Sequence, residues 1–148
     1  MRLTAAEQIA QEIVHMLEAG VIALVPGRIH RDINDALRSE VMPAIVVETG
    51  DEPAPDRTQL GVMDRIVEVQ LTVVASGSNP YGQADAAMLE AHDCLMHDAT
   101  IGGLAFDVIE GPTRRTRAGL GEDLGAVQKT YQVRYRTAEN SLEPMLDN

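Results

Sequence analysis

The sequence predicts an α+β domain: a mainly antiparallel sheet with two main helices packed on one face and a long C-terminal β-hairpin. Three observations predict it. Apolar residues recur at helical spacing after Thr4 and again after Gln83. They alternate with polar ones from Met63 to Ala75 and from Val127 to Tyr135, the period of a half-buried strand. Finally, the elements follow in the order helix, strands, long strand, helix, hairpin, which suits an antiparallel sheet covered on one side.

In chain order, Thr4 is an N-cap with Glu7 three residues on, a capping box. Ile9, Ile13, Met16 and Leu17 form the apolar stripe, and Gly20 stands where a left-handed C-cap belongs. Val21 to Val25, closed by Pro26-Gly27, reads as a buried strand or extended link, and Arg28 to Arg31 as a short strand. Asn34 to Glu40 reads as one helical turn, stopped by Met42-Pro43 because proline lacks a donor and disfavours helix before it. Ala44 to Thr49 follows as a strand, and residues 50–60 as a polar loop.

In the long strand Met63, Val67, Val69, Leu71, Val73 and Ala75 share one face, with Asp64, Glu68, Gln70 and Thr72 on the other. A turn at 76–82 leads to a helix from about Gln83 to Asp98, whose stripe is Ala84, Ala87, Met88, Ala91, Cys94 and Leu95. After Gly102-Gly103, a strand from Leu104 runs toward Thr116, and Ala118 to Gly125 forms a glycine-rich hairpin. The last strand turns Val127, Tyr131, Val133 and Tyr135 inward. Residues 1–137 read as one domain, and 138–148, without periodicity, as a flexible tail.

With 148 residues, 45% of them hydrophobic, the chain can bury one core. One Phe, three Tyr and no Trp leave few aromatic anchors for stacking on bases or sugars. The formal charge of −11 repels free nucleic acid. That charge is unevenly placed: residues 112–137 hold six basic groups against two acidic, a net +4, and the remainder six against twenty-one, a net −15. A single cysteine, Cys94, excludes an internal disulfide. No signal peptide is legible and no apolar run is long enough to span a membrane, so a cytoplasmic, non-membrane protein is expected.

Catalytic motifs are missing: no nucleophile elbow, Walker loop, dinucleotide fingerprint or H-E-x-x-H. Gly119-Leu120-Gly121 leads into Glu122-Asp123 and a strand, which fits a hairpin turn and not a phosphate cradle at a helix start. His92 and His97, five apart, point roughly 140° away from each other on a helix. Cys94 lies on an apolar stripe and reads as a small buried hydrophobe. No metal or cofactor is expected. Asp51, Glu52 and Asp56 read as a solvated acidic loop. Arg114, Arg115 and Arg117 have two readings: a strand edge protected by charge, or a surface that meets acid on another subunit or touches phosphates. The chain carries its own complementary acid, and a patch that fits a different patch on the same molecule makes heterologous contacts that close into rings. These six residues are therefore the candidate subunit interface.

Laid out in this order, the chain resembles the tail terminator (minor tail protein U-like, tail completion) proteins of long-tailed phages and prophages, over about residues 8–138. The resemblance rests on the opening helix, Ile29-His30-Arg31, the strand Met42-Pro43-Ala44-Ile45-Val46-Val47-Glu48, the acidic loop and the strand Arg65 to Ala75. Ile101-Gly102-Gly103-Leu104-Ala105 and Tyr131-Gln132-Val133-Arg134-Tyr135-Arg136-Thr137 complete it. It implies a virion structural protein, not an enzyme: a ring, typically a hexamer, that caps the tail tube at the head-proximal end, stops its polymerisation and offers a surface to the head-completion (connector) protein. DNA then passes through the channel without specific binding, and no cofactor belongs to the role. The family supplies no fixed functional residues, so the interface candidates rest on charge alone. Two alternatives stay open: another phage morphogenesis subunit (head–tail connector or tail tube protein), and a small ligand-binding or enzymatic domain with a pocket near Cys94 and His97.

Overall fold

A computed structural model describes residues 1–20, 28–38, 42–116 and 124–145. The expected strand or link at 21–25, and the hairpin tip with Gly119-Leu120-Gly121, lie outside the described residues. The elements are α1 (Ala5–Gly20), β1 (Ile29–His30), α2 (Ile33–Arg38), β2 (Ala44–Thr49), β3 (Asp56–Gln59), β4 (Val62–Ser76), α3 (Pro80–Met96), β5 (Asp107–Thr116) and β6 (Leu124–Ala138). They form an α+β fold around one six-stranded sheet of order β1-β2-β4-β6-β5, with β3 pairing β4 beside β2. All pairings are antiparallel except β1 with β2, which makes the sheet mixed.

The long strands organise the molecule. Every residue of β4 from Val62 to Ser76 has a partner on β6, from Ala138 back to Leu124. On the face holding Val67, Val69, Leu71, Val73, Val127, Tyr131, Val133 and Tyr135, the side chains are buried under α1 and α3. The helices contribute Ile9, Ile13 and Leu17 from α1 and Ala84, Ala87, Met88, Ala91 and Leu95 from α3. The opposite face carries a smaller core, in which Ala44, Val46, Val74 and Ala126 pack against Ala36 of α2.

Several local expectations change. Thr4 accepts a hydrogen bond from the Glu7 N–H (3.2 Å), but the Glu7 carboxylate does not complete the box. It takes Arg31 Nη1 at 2.6 Å and Nη2 at 3.0 Å instead, while Arg31 Nε donates to Val47 O, which ties α1 to β2. Gly20 is not a left-handed cap. It is the last helical residue, and its bare Cα admits α3, since a Cβ there would lie 2.6 Å from Cys94 Sγ. The polar loop 50–60 contains β3, whose four exposed residues show no alternation because no side chain of theirs is buried; backbone pairing with β4 and the Arg57–Glu139 ion pair hold it. α3 begins at Pro80, capped by Asn79 Oδ1 accepting from Gly82 N (3.2 Å), with proline at the first helical position where a missing N–H costs nothing. Leu104 to Phe106 is not strand: Ile101, Gly102 and Gly103 all have positive φ, and the ladder starts at Asp107. The segment expected to trail off begins with Ala138, the last residue of β6. Beyond it Glu139 N donates to Gly61 O (2.9 Å) and Ala5 N to Leu142 O (2.7 Å), and Arg65 reaches Ser141 O.

Candidate functional site

The acidic candidates sit where the chain leaves β2. Gly50 N donates to Glu68 O (2.7 Å) and Glu68 N to Asp51 O (3.2 Å), which extends the β2–β4 ladder by a step. Glu52 is fixed further: the Tyr135 hydroxyl donates to its Oε1 at 2.5 Å. Burial, then this bond and the carboxylate charge, push the Tyr135 hydroxyl far above its ordinary pKa, so it stays a donor. Asp56 opens β3 opposite Asp64, whose own carboxylate is held by Arg136 Nε at 2.8 Å. The side chains of Asp51 and Asp56 are exposed and make no hydrogen bond or ion pair among the described residues.

The arginines sit diagonally across the sheet. An irregularity between Glu110 and Thr113 inserts one extra residue in β5, a bulge centred on Gly111-Pro112. Beyond it Arg114 faces Gln128 on the α2 side of the sheet, and Arg115 faces Val127 on the α3 side. Arg115 Nη2 reaches Asp85 Oδ1 at 2.9 Å, with both side chains 58% exposed, so the pair contributes little to stability. Arg114 has no ionic or hydrogen-bonding partner among the described residues. Arg117 lies outside the described residues. The described members of the two groups are therefore not brought together in one subunit. Acid flanks the start of β4 on the β2–β3 side, and Arg114 flanks the level of Thr72 beyond β6.

One constellation was hidden from the sequence. The Tyr131 hydroxyl is 2.7 Å from His92 Nδ1, and the two rings stack. Glu110 Oε1 lies 2.9 Å from Lys129 Nζ and 3.9 Å from His92 Nε2. The Lys129 ammonium, by hydrogen bond and charge, holds the Glu110 carboxyl below its ordinary pKa. This chain of contacts pins α3 to β5 and β6. The signal lay in tertiary contact, not in the spacing of His92 and His97.

An open hollow of about 420 Å³ is lined by Gly20, Glu90, Asp93, Cys94 and His97. Cys94 donates to Met16 O at 3.1 Å, and burial pushes its thiol pKa up, which disfavours the nucleophilic thiolate. Among the described residues, no three His, Cys, Asp or Glu side chains are grouped to hold a metal ion, and no helix is long and apolar enough to cross a membrane.

No protein-family model and no curated protein matches the chain. In three dimensions it is similar to a chain of the virion of a native gene transfer agent (GTA) particle, with a TM-score of 0.56 at 12% identity. The match covers 86% of this chain and 94% of that one, so the likeness is one of whole folds.

Proposed function

We propose that this chain is a virion structural protein that acts as a tail terminator. Copies form a ring, a hexamer on the family resemblance, at the head-proximal end of the tail. The ring caps the tube, stops its polymerisation and presents a joining surface to the head-completion protein, while DNA passes without specific binding. Its work is assembly and not catalysis. The observation that carries this reading is the placement of opposite charges unpaired among the described residues, Asp51 and Asp56 against Arg114, at diagonal corners of one sheet. Such corners cannot meet within a subunit but can between neighbours, head to tail. The whole-length fold likeness to a virion chain supports it.

The test is negative-stain microscopy and sedimentation of the purified protein, with and without tail tubes. Rings at tube ends are the expected result, with Arg114→Glu giving fewer of them at low salt while the far-UV spectrum stays unchanged. Long tubes formed by the protein alone would make it a tube subunit. A strictly monomeric protein that turns over a small molecule, with Cys94 or His97 essential, would overturn the assembly reading.

A further inference from the structure

Leu60 stands at the tip of the β3–β4 turn with 88% of its surface exposed. Gly61, at φ +83°, gives the backbone the tight reversal that the turn needs. Turn positions are normally filled by residues that favour the turn or bond to its backbone, and leucine does neither. On the face of the sheet that α2 covers lies an open groove of about 380 Å³, with apolar walls from Ile33, Leu37, Val74 and Ala126 and Thr116 and Glu48 among its polar residues. Leu37 in its wall is itself 39% exposed. Knob and groove belong to opposite ends of β4, and the stretch from Val62 to Thr72 separates them by roughly 35 Å of extended chain. Leu60 therefore cannot fill the groove of its own subunit.

The charges follow the same geometry. Asp56, unpaired among the described residues, shares its hairpin with Leu60. Arg114, also unpaired there, precedes Thr116 of the groove by two residues on one strand face. Seating the turn in the groove moves the acidic end of one subunit toward the basic corner of the next.

We propose that the Leu60 turn of one copy docks in the Ile33–Leu37–Val74–Ala126 groove of a neighbouring copy, with Asp56 approaching Arg114. The contact is heterologous, the type that propagates around a ring. It rests on the ring reading and names the residues through which the ring closes.

In a Cys94→Ala background, Leu60→Cys and Leu37→Cys proteins are mixed and oxidised. The mixture is expected to give disulfide-linked dimers far in excess of either protein alone, and a chain carrying both cysteines a ladder of covalent oligomers. Leu60→Asp should weaken self-association by roughly tenfold or more, the scale of one lost buried leucine. Leu89→Asp, at another exposed leucine on α3, should leave association unchanged. If the unmodified chain assembles, yet Leu60→Asp assembles equally well and the cysteines do not cross-link, the docking is overturned and the ring reading survives. If Leu60→Asp rings form normally but no longer attach to tubes, Leu60 serves the tube protein and the docking is likewise overturned. If the unmodified chain stays monomeric at every concentration and beside tail tubes, both fall.

Discussion

Asp98 shows how much one side chain organises here. Its carboxylate accepts from Thr100 N (2.9 Å), Thr100 Oγ1 (2.6 Å) and Gly102 N (3.0 Å). The loop it holds carries the fully buried Ile101 at φ +48°, a conformation that costs a β-branched residue energy and persists only where neighbours enforce it. Asp98→Ala should cost about 1–2 kcal/mol in denaturant unfolding. The Thr100 hydroxyl, then the Gly102 and Thr100 N–H groups, hold the Asp98 carboxyl below its ordinary 3.8. A depressed carboxyl stabilises the fold above its unfolded pKa and loses that contribution as pH falls through the folded value. The stability gap between the parent chain and Asp98→Ala should therefore narrow well below pH 3.8; a gap that persists there would assign it to packing. Tyr131 gives a second test. Its ring is buried and its hydroxyl bonds His92, so Tyr131→Phe should cost about 1–2 kcal/mol by leaving a polar atom without a partner.

Among the elements, the bulge in β5 gives the sharpest prediction. A Cβ on Gly111 would lie 2.8 Å from Thr130 O, a backbone atom of the paired strand that cannot swing aside. Gly111→Ala should therefore cost about 1–3 kcal/mol and displace the strand beyond it, read by thermal unfolding and by loss of the Lys129–Glu110 pair. A parent-like melting curve would mean that the edge strand shifts freely. Elements with a run of buried apolar residues are legible in the residues themselves: β2 matches its expected bounds, and the alternation names Val67, Val69, Leu71, Val73 and Ala75 of β4 and the inward residues of β6, although Met63, named with them, is only half-buried. β3 is not legible, because all four of its side chains face solvent and leave no period to read. Nor is the role of Gly20, which answers to Cys94, far along the chain, and not to its own helix end. The charge types of the candidate interface can be read from residues alone. Their separation to opposite corners, the Arg115–Asp85 pair and the Leu60 turn all follow from register and pairing, which composition does not encode.

For the whole molecule, two electrostatic effects of opposite sign act on assembly. Each subunit carries −11, so neighbours repel one another at long range. At the proposed contact, Asp56 and Arg114 attract at short range. Salt weakens both, but not together. The Debye length shrinks from about 30 Å at 0.01 M to about 10 Å at 0.1 M and about 3 Å at 1 M. Repulsion between charges spread over whole subunits is lost in the first of these steps, whereas a close ion pair survives until the second. Self-association should therefore strengthen from about 0.01 to about 0.1 M salt and weaken again toward about 1 M, a maximum visible by sedimentation velocity. Arg114→Glu should remove the decline at high salt, because no attractive pair remains to be screened there. Apolar burial of Leu60 is not screened, so the high-salt decline in the parent chain should level off above complete dissociation. A parent curve that only rises with salt would mean that the arginine takes no part in the contact, which then rests on apolar burial alone.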